Sequence, residues 1–225
     1  MRLVDCTAWF ACWVVVSGAA SVQAQTAQSP HEAHDLHADP AAYIAALEDP
    51  KRDAWQKPRE VIDALDLRPG ERIADIGAGS GYFALRFAHH VGADGRVFAI
   101  DVSQEMLAHL ERQAKTAGVT NVEAKRVPPD DPQLADGSID RAFFCDVWHH
   151  VADQEDYLDK LKRALRPAGQ LVMIDFQKRE LPVGPPVSMK IAREDLIAQL
   201  ERHGFRLARE HTFLPYQYFL VFELR

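Results

Sequence analysis

Cysteine is close to absent from this sequence. Cys6, Cys12 and Cys145 are the only three in 225 residues, and the first two fall in a segment expected to be removed. A single remaining thiol cannot staple a fold, and no Cys-x-x-Cys spacing offers a zinc site. Basic charge is also in deficit. Lys and Arg total 26 against 33 Asp and Glu, a formal net charge of -7, which excludes a nucleic-acid binder held by a basic face. The local cluster of Lys160, Lys162, Arg163 and Arg166 lies on an amphipathic stretch and reads as a solvated helix face. Long apolar runs are missing too. The run at residues 8–20 (AWFACWVVVSGAA) is too short to cross a bilayer comfortably, so no stable membrane span is expected in the mature chain.

That run follows Arg2 and is followed by small residues, with Val22-Gln23-Ala24 fitting a signal-peptidase site. Residues 1–24 therefore read as a signal peptide cleaved before Gln25, which places the protein in the periplasm or outside the cell, with the cytoplasm as the alternative. Residues 25–42 are polar without apolar periodicity and are expected to form a flexible tail. His31, His34 and His37 are spaced three apart there. They could share a helix face and offer nitrogen ligands, but no carboxylate or cysteine completes a first shell, and a solvated tail with no metal is the expectation.

What is present in quantity is alternation. From Tyr43 to the C-terminus the chain reads as one domain without internal repeats. A helix is expected at 53–67 with Ile62, Leu65 and Leu67 facing inward, stopped by Pro69-Gly70. Strands are expected at 72–76, 96–101, 121–127, 139–145 and 170–176. Helices at 82–91, 104–117, 155–165 and 193–203 separate or follow them. Residues 205–210 and 216–224 read as a closing pair of strands, antiparallel because little chain separates them. Near-continuous apolar strands alternating with helices imply a doubly wound α/β fold. Its sheet has seven strands and is mainly parallel, with an antiparallel strand at the C-terminal end. Such sheets bind ligands outside the carboxyl ends of their strands, where the strand order reverses.

The strongest chemical signal is ADIGAGSG at 74–81, between a strand and a helix. Its glycines allow a tight turn and a close approach of backbone N–H groups to a ligand. The second strand ends in Asp101, placed to accept hydrogen bonds from ribose hydroxyls. Together these point to a nucleoside. The spacing is Gly-x-Gly-x-Gly, with Tyr82 where a nicotinamide-binding fold has its third glycine, so NAD is disfavoured.

At this point the residues resemble the class I S-adenosylmethionine-dependent methyltransferases. ADIGAGSG resembles their first motif and AIDVSQEML their second. DGSID, CDVWHHV and LKRALRPAGQLVMID resemble the segments around strands four and five, in the family's order and spacing. The resemblance runs from about Arg59 to the C-terminus. It implies S-adenosylmethionine as cofactor, with Gly77, Ala78, Gly79 and Gly81 passing close to its methionine part and Asp75 meeting the amino group. Asp101 then holds the ribose, Val102 and Met106 flank the adenine, and Asp146 and Val147 face the sulfonium and the acceptor. One departure stands out. Where the family often has an Asp that reaches the adenine, this chain has Val127-Pro128-Pro129-Asp130-Asp131, leaving Asp130 as the substitute.

Methyl transfer requires acceptor, methyl and sulfur in line and water excluded. The acceptor implied is small or lipid-like, and the proline- and glycine-rich turn at 178–190 is placed to cover it or simply to connect strand and helix. An oxygen or nitrogen acceptor of high pKa needs a base, for which His149, His150 and Asp146 are the candidates, although each histidine reads more simply as a structural or cofactor-lining residue; a thiolate or carbanion needs none. Cys145 reads as a small core residue. The competing reading is an exported, non-catalytic binding protein that kept the fold.

Overall fold

A computed structural model of the chain describes residues 39–225. The apolar run at 8–20, Cys6, Cys12 and the three tail histidines lie outside the described residues. The first helix, α1 (Pro40–Leu47), takes in residues 40–42 of the segment expected to be tail; the Asp39 carboxylate caps it, accepting from the amides of Ala41 at 3.0 Å and Ala42 at 3.2 Å. Asp at this position satisfies helix-start donors that otherwise lack partners.

The helix expected at 53–67 is two helices, α2 (Asp53–Gln56) and α3 (Pro58–Leu65). Proline disfavours helical geometry in the residue before it, and Lys57 takes the left-handed region with φ 45°. Ile62 and Leu65 are buried as expected, while Leu67 is only half-buried beyond the left-handed Asp66.

The remaining elements follow the expected alternation. Strand β1 (Arg72–Ile76) leads to α4 (Ala84–Val91), β2 (Arg96–Asp101) to α5 (Gln104–Thr116), and β3 (Val122–Arg126) to β4 (Ile139–Cys145). Then come α6 (Gln154–Ala164), β5 (Leu165–Phe176), α7 (Arg193–Arg202), β6 (Phe205–His211) and β7 (Gln217–Leu224). Strand β5 starts at Leu165, five residues before the expected Gln170, because Leu165 pairs with Ile139 and the register shifts before Gln170 meets Arg141.

The sheet has seven strands in the order β3-β2-β1-β4-β5-β7-β6. Strands β3, β2, β1, β4 and β5 are mutually parallel, and β7 runs antiparallel between β5 and β6. Side chains alternate across the sheet. On β4, Phe143 packs with Phe83, Phe87 and Ile73 under α3 and α4, while its neighbour Phe144 packs with Trp148, Tyr157 and Leu161 on the opposite face. Helices therefore cover both faces, as a parallel sheet with apolar strands requires. Strand order reverses between β1 and β4, and the crevice there opens at Ile76, Asp101, Cys145 and Phe176. Among the described residues no helix is long and apolar enough to cross a membrane.

Candidate active site

A cavity of about 620 Å³ lies at the carboxyl ends of the strands. Its floor is the turn after β1. The amides of Gly77 and Ala78 both donate to the carbonyl of Ile100, at 2.8 and 3.0 Å. The amide of Gly79 donates to Asp101 Oδ2 at 2.8 Å, and that of Ser103 donates to Oδ1 at 2.9 Å. Asp101 thus clasps the turn while each of its oxygens keeps lone-pair capacity for a ligand. Gly77 has φ 71°, and a Cβ there would sit 2.4 Å from Val147 Cγ2. The glycine is needed because the chain after β4 passes directly over it.

Asp75 lines the cavity, is 4% exposed, and its Oδ2 has no hydrogen-bond partner among the described residues. Burial, and then the charge of Asp101, push its pKa from 3.8 up to about 7, against the opposing pull of the Ala84 amide and Arg52. Arg52 also lines the cavity, its guanidinium 4.0 Å from the Tyr82 ring centroid and 5.9 Å from that of Trp55. Arg52 donates to the Leu47 carbonyl at 3.2 Å and to Gln56 Oε1 at 3.4 Å, and its buried Nε has no partner among the described residues.

The opposite wall comes from the end of β4. Asp146 has φ 60°. Both its oxygens accept from Gln217 Nε2, at 2.7 and 2.8 Å, and Gln217 in turn accepts from Gln56 Nε2 at 3.0 Å. Burial and the charge of Asp175 raise the pKa of Asp146. His149, on the tight turn Trp148–His150, has Nδ1 within 3.0 Å of Asp175 Oδ2 and 3.1 Å of Oδ1. Burial opposes the charged imidazole, but the hydrogen bond and charge of Asp175, joined by Asp146, outweigh it and raise the pKa. His150 is exposed, its ring 4.3 Å from that of His149. Cys145 also lines the cavity, and burial and Asp146 hold its thiol neutral well above the ordinary range. It is a wall residue as well as a packing one.

Of the residues expected at the site, Asp75, Gly77, Ala78, Gly79, Asp101, Val102, Met106, Asp146, Val147, His149 and His150 all border this one cavity. Two do not. The φ of Gly81 is 94°, and a Cβ there would lie 2.8 Å from Leu110 Cγ, so this glycine lets α5 pack against the turn. Asp130 is exposed away from the cavity, its carbonyl accepting from Lys160 Nζ at 2.7 Å. Val127, Pro128 and Pro129 line the cavity instead, so the wall after β3 is apolar where Asp130 was expected. Sequence reasoning did not find Arg52, Trp55, Asp175 or Gln217. Asp175 sits at the carboxyl end of β5, where the rule that singled out Asp101 applies equally. Arg52 and Trp55 carry no comparable signal, since they precede the sheet, Arg52 in the turn before α2 and Trp55 within it, and only the folded chain brings them to the cavity.

A family model described as "Methyltransferase domain" matches residues 67–207. The chain belongs to the S-adenosylmethionine-dependent methyltransferases. A solved structure of a SAM-dependent methyltransferase from Aquifex aeolicus superposes with a TM-score of 0.78 at 28% identity, covering 83% of this chain and 99% of that one. An uncharacterized 37.1 kDa protein in transposon TN4556 of Streptomyces fradiae is 42% identical over 113 residues, 50% of this chain and 32% of that protein. The ubiquinone/menaquinone biosynthesis C-methyltransferase UbiE of Haemophilus ducreyi is 28% identical over 131 residues, 58% of this chain and 49% of that enzyme. The chain thus spans half or less of the length of these two curated relatives.

The residues present suit the family's cofactor, S-adenosylmethionine. A buried carboxyl and a half-buried guanidinium, each with an orphaned polar atom, line one cavity, as a ligand carrying both an ammonium and a carboxylate requires. Asp101, on the same rim, is free to accept from a diol.

Proposed function

We propose that this methyltransferase moves the cofactor's methyl group onto a small or lipid-like acceptor by in-line displacement. When bound, S-adenosylmethionine supplies an electrophilic methyl on a positively charged sulfur. Asp75 holds its amino group, Arg52 its carboxylate and Asp101 its ribose, while Val102 and Met106 flank the adenine against Pro128 and Pro129. The observation that carries the reading is the unpartnered Asp75 oxygen, buried beside the glycine turn. A buried acid left without a partner is costly unless a ligand satisfies it.

The acceptor side is apolar. Trp55, Phe176, Pro185, Pro186 and Met189 line it, with the Trp55 and Phe176 rings 5.7 Å apart. The turn at 178–190 contributes three of these residues and so covers the chamber. A Cβ at Gly184 would meet the Phe176 ring at 2.7 Å, so the turn's backbone rests directly on that ring. Such walls exclude water, a competing nucleophile. The similarity to UbiE, named for ubiquinone and menaquinone biosynthesis, supports a lipid-like acceptor.

Thermal-shift titration of chain starting at Gln25 tests the cofactor. At a hundredfold excess over Kd, S-adenosylmethionine and S-adenosylhomocysteine are expected to add about 2.7 kcal/mol, raising Tm by about 5–10 °C. NADH is expected to do nothing. A shift with NADH alone would reverse the assignment. In the same assay Asp101→Ala is expected to weaken binding by about 1.5–3 kcal/mol, the worth of a charge-assisted hydrogen bond. Unchanged affinity would mean that the ribose does not lie against Asp101.

We further propose that the protein is exported by the leader at 1–24 to the periplasm or beyond. Intact-mass analysis of the chain recovered from the cell envelope is expected to give a species starting at Gln25. A cytoplasmic chain still carrying residues 1–24 would overturn this.

A further inference from the structure

We propose that His149 and Asp175 form a general-base dyad that takes the proton from an aromatic hydroxyl of the acceptor, making the reaction an O-methylation of a phenol. This rests on the methyltransferase reading of the same cavity and adds the acceptor class and the base. The dyad is built by two adjacent strand ends. Cys145 at the end of β4 is in register with Ile174 of β5, which places the turn bearing His149 beside Asp175. Asp175 is 1% exposed and fixed, its Oδ1 accepting from the Phe176 amide at 2.8 Å while both oxygens lie within 3.1 Å of His149 Nδ1. A carboxylate only accepts, so Nδ1 carries the ring hydrogen and the neutral imidazole keeps its lone pair on Nε2. His149 lines the cavity, and Nε2 is the ring nitrogen left for a ligand. Asp175 is a positioning residue; His149 is the catalytic one.

The surroundings select the acceptor. Trp55 and Phe176 line the same cavity as His149, and their aromatic wall suits a flat apolar ring. A phenol has a pKa near 10. It is neutral at pH 7 and becomes a strong nucleophile only as its proton leaves, whereas a thiolate needs no base. As the aromatic oxygen bonds to the methyl carbon, its O–H bond breaks and the proton passes to Nε2. The carbon–sulfur bond breaks with its electron pair kept by sulfur. The products are an aryl methyl ether, a neutral thioether and an imidazolium beside Asp175. The titratable groups facing the ring are Asp175 from β5, Asp146 from the end of β4 and His150 on the same turn; beyond them, Arg52 acts on Asp146, and Lys190 feels the charge of Asp175.

The test uses 4-nitrophenol, whose ionised form is coloured, with wild type, His149→Gln and Asp175→Asn, each saturated with S-adenosylhomocysteine. In wild type the bound dye is expected to ionise more readily than in His149→Gln, by about tenfold in ionisation constant, because its proton moves to the imidazole. Asp175→Asn is expected to fall between them. With S-adenosylmethionine and a phenol panel, His149→Gln is expected to lose about a hundredfold in rate. The acid limb of the Asp175→Asn pH profile is expected to lie at lower pH, because Asp175 raises the pKa of His149 and the base must be neutral. Equal dye ionisation in wild type and His149→Gln, or no dye binding at all, overturns the dyad. The thermal shift with S-adenosylhomocysteine confirms that each variant is folded. Failure of that shift in wild type counts against the cofactor reading, and the dye comparison still decides the dyad.

Discussion

S-adenosylhomocysteine is expected to bind more tightly as pH rises from 5 to 7 and then level off, and Asp75→Asn is expected to remove that dependence. In the free protein the Asp75 carboxyl titrates at about 7, raised from 3.8 by burial and by Asp101. An ammonium group beside it favours the ionised form, so binding below pH 7 displaces a proton. Affinity then gains up to about tenfold per pH unit in that range. Calorimetry in two buffers of different ionisation heat measures the proton release directly. At pH 8 the variant is expected to bind about a hundredfold more weakly, within the range for truncating a buried charge pair.

Stability should move the opposite way. A group whose folded pKa lies above its unfolded value stabilises fully below the unfolded pKa and loses that contribution as pH rises through the folded one. For Asp75 the window runs from 3.8 to about 7, and the loss across it is on the order of 4 kcal/mol. Asp75→Asn is therefore expected to be more stable than wild type at pH 8 in urea denaturation while binding cofactor worse. A trade of this kind is common where a site needs a strained charge. Wild-type binding that is flat between pH 5 and 8 would show that Asp75 does not meet the amino group.

Gly77→Ala is expected to destabilise the protein by about 2–5 kcal/mol, from left-handed strain and overpacking. The backbone there has φ 71°, and the new methyl would lie 2.4 and 2.7 Å from the two Cγ atoms of Val147. Gly79→Ala makes the informative contrast. Its φ is 55°, but the nearest atom to a Cβ is Leu47 Cδ1 at 3.2 Å, the end of a flexible side chain. It is expected to lose about 1–2 kcal/mol, mostly from backbone strain. Combining Gly77→Ala with Val147→Ala should recover the steric part alone, and a double-mutant cycle in urea reads the coupling. Equal losses for Gly77→Ala and Gly79→Ala would mean that Val147 does not press on the turn.

The family and the pocket's polar rim were legible because they depend on residues close together in the chain. A strand, a glycine turn and an acid at the next strand's end lie within residues 72–101, and local periodicity places them on the same edge of any parallel sheet. The break at Lys57 was legible in principle from Pro58. The start of β5 at Leu165 was not, because Pro167 and Gly169 read as a helix stop and only pairing with Ile139 made them strand.

The sequence by itself determined the alternating fold, the glycine turn, Asp101 and the presence of two histidines after β4. Folding in three dimensions decided that His149 meets the Asp175 carboxylate, since the two are 26 residues apart and come together through the register of β4 with β5. It alone brought Arg52 and Trp55 over the cavity, held Asp146 by Gln217 from β7, and carried Asp130 and Gly81 away from the site. The physical reason is the same in each case. Periodicity and turn chemistry are set by neighbours in the chain, whereas burial, charge pairing and the pKa of a carboxyl are set by whatever the folded sheet places beside it.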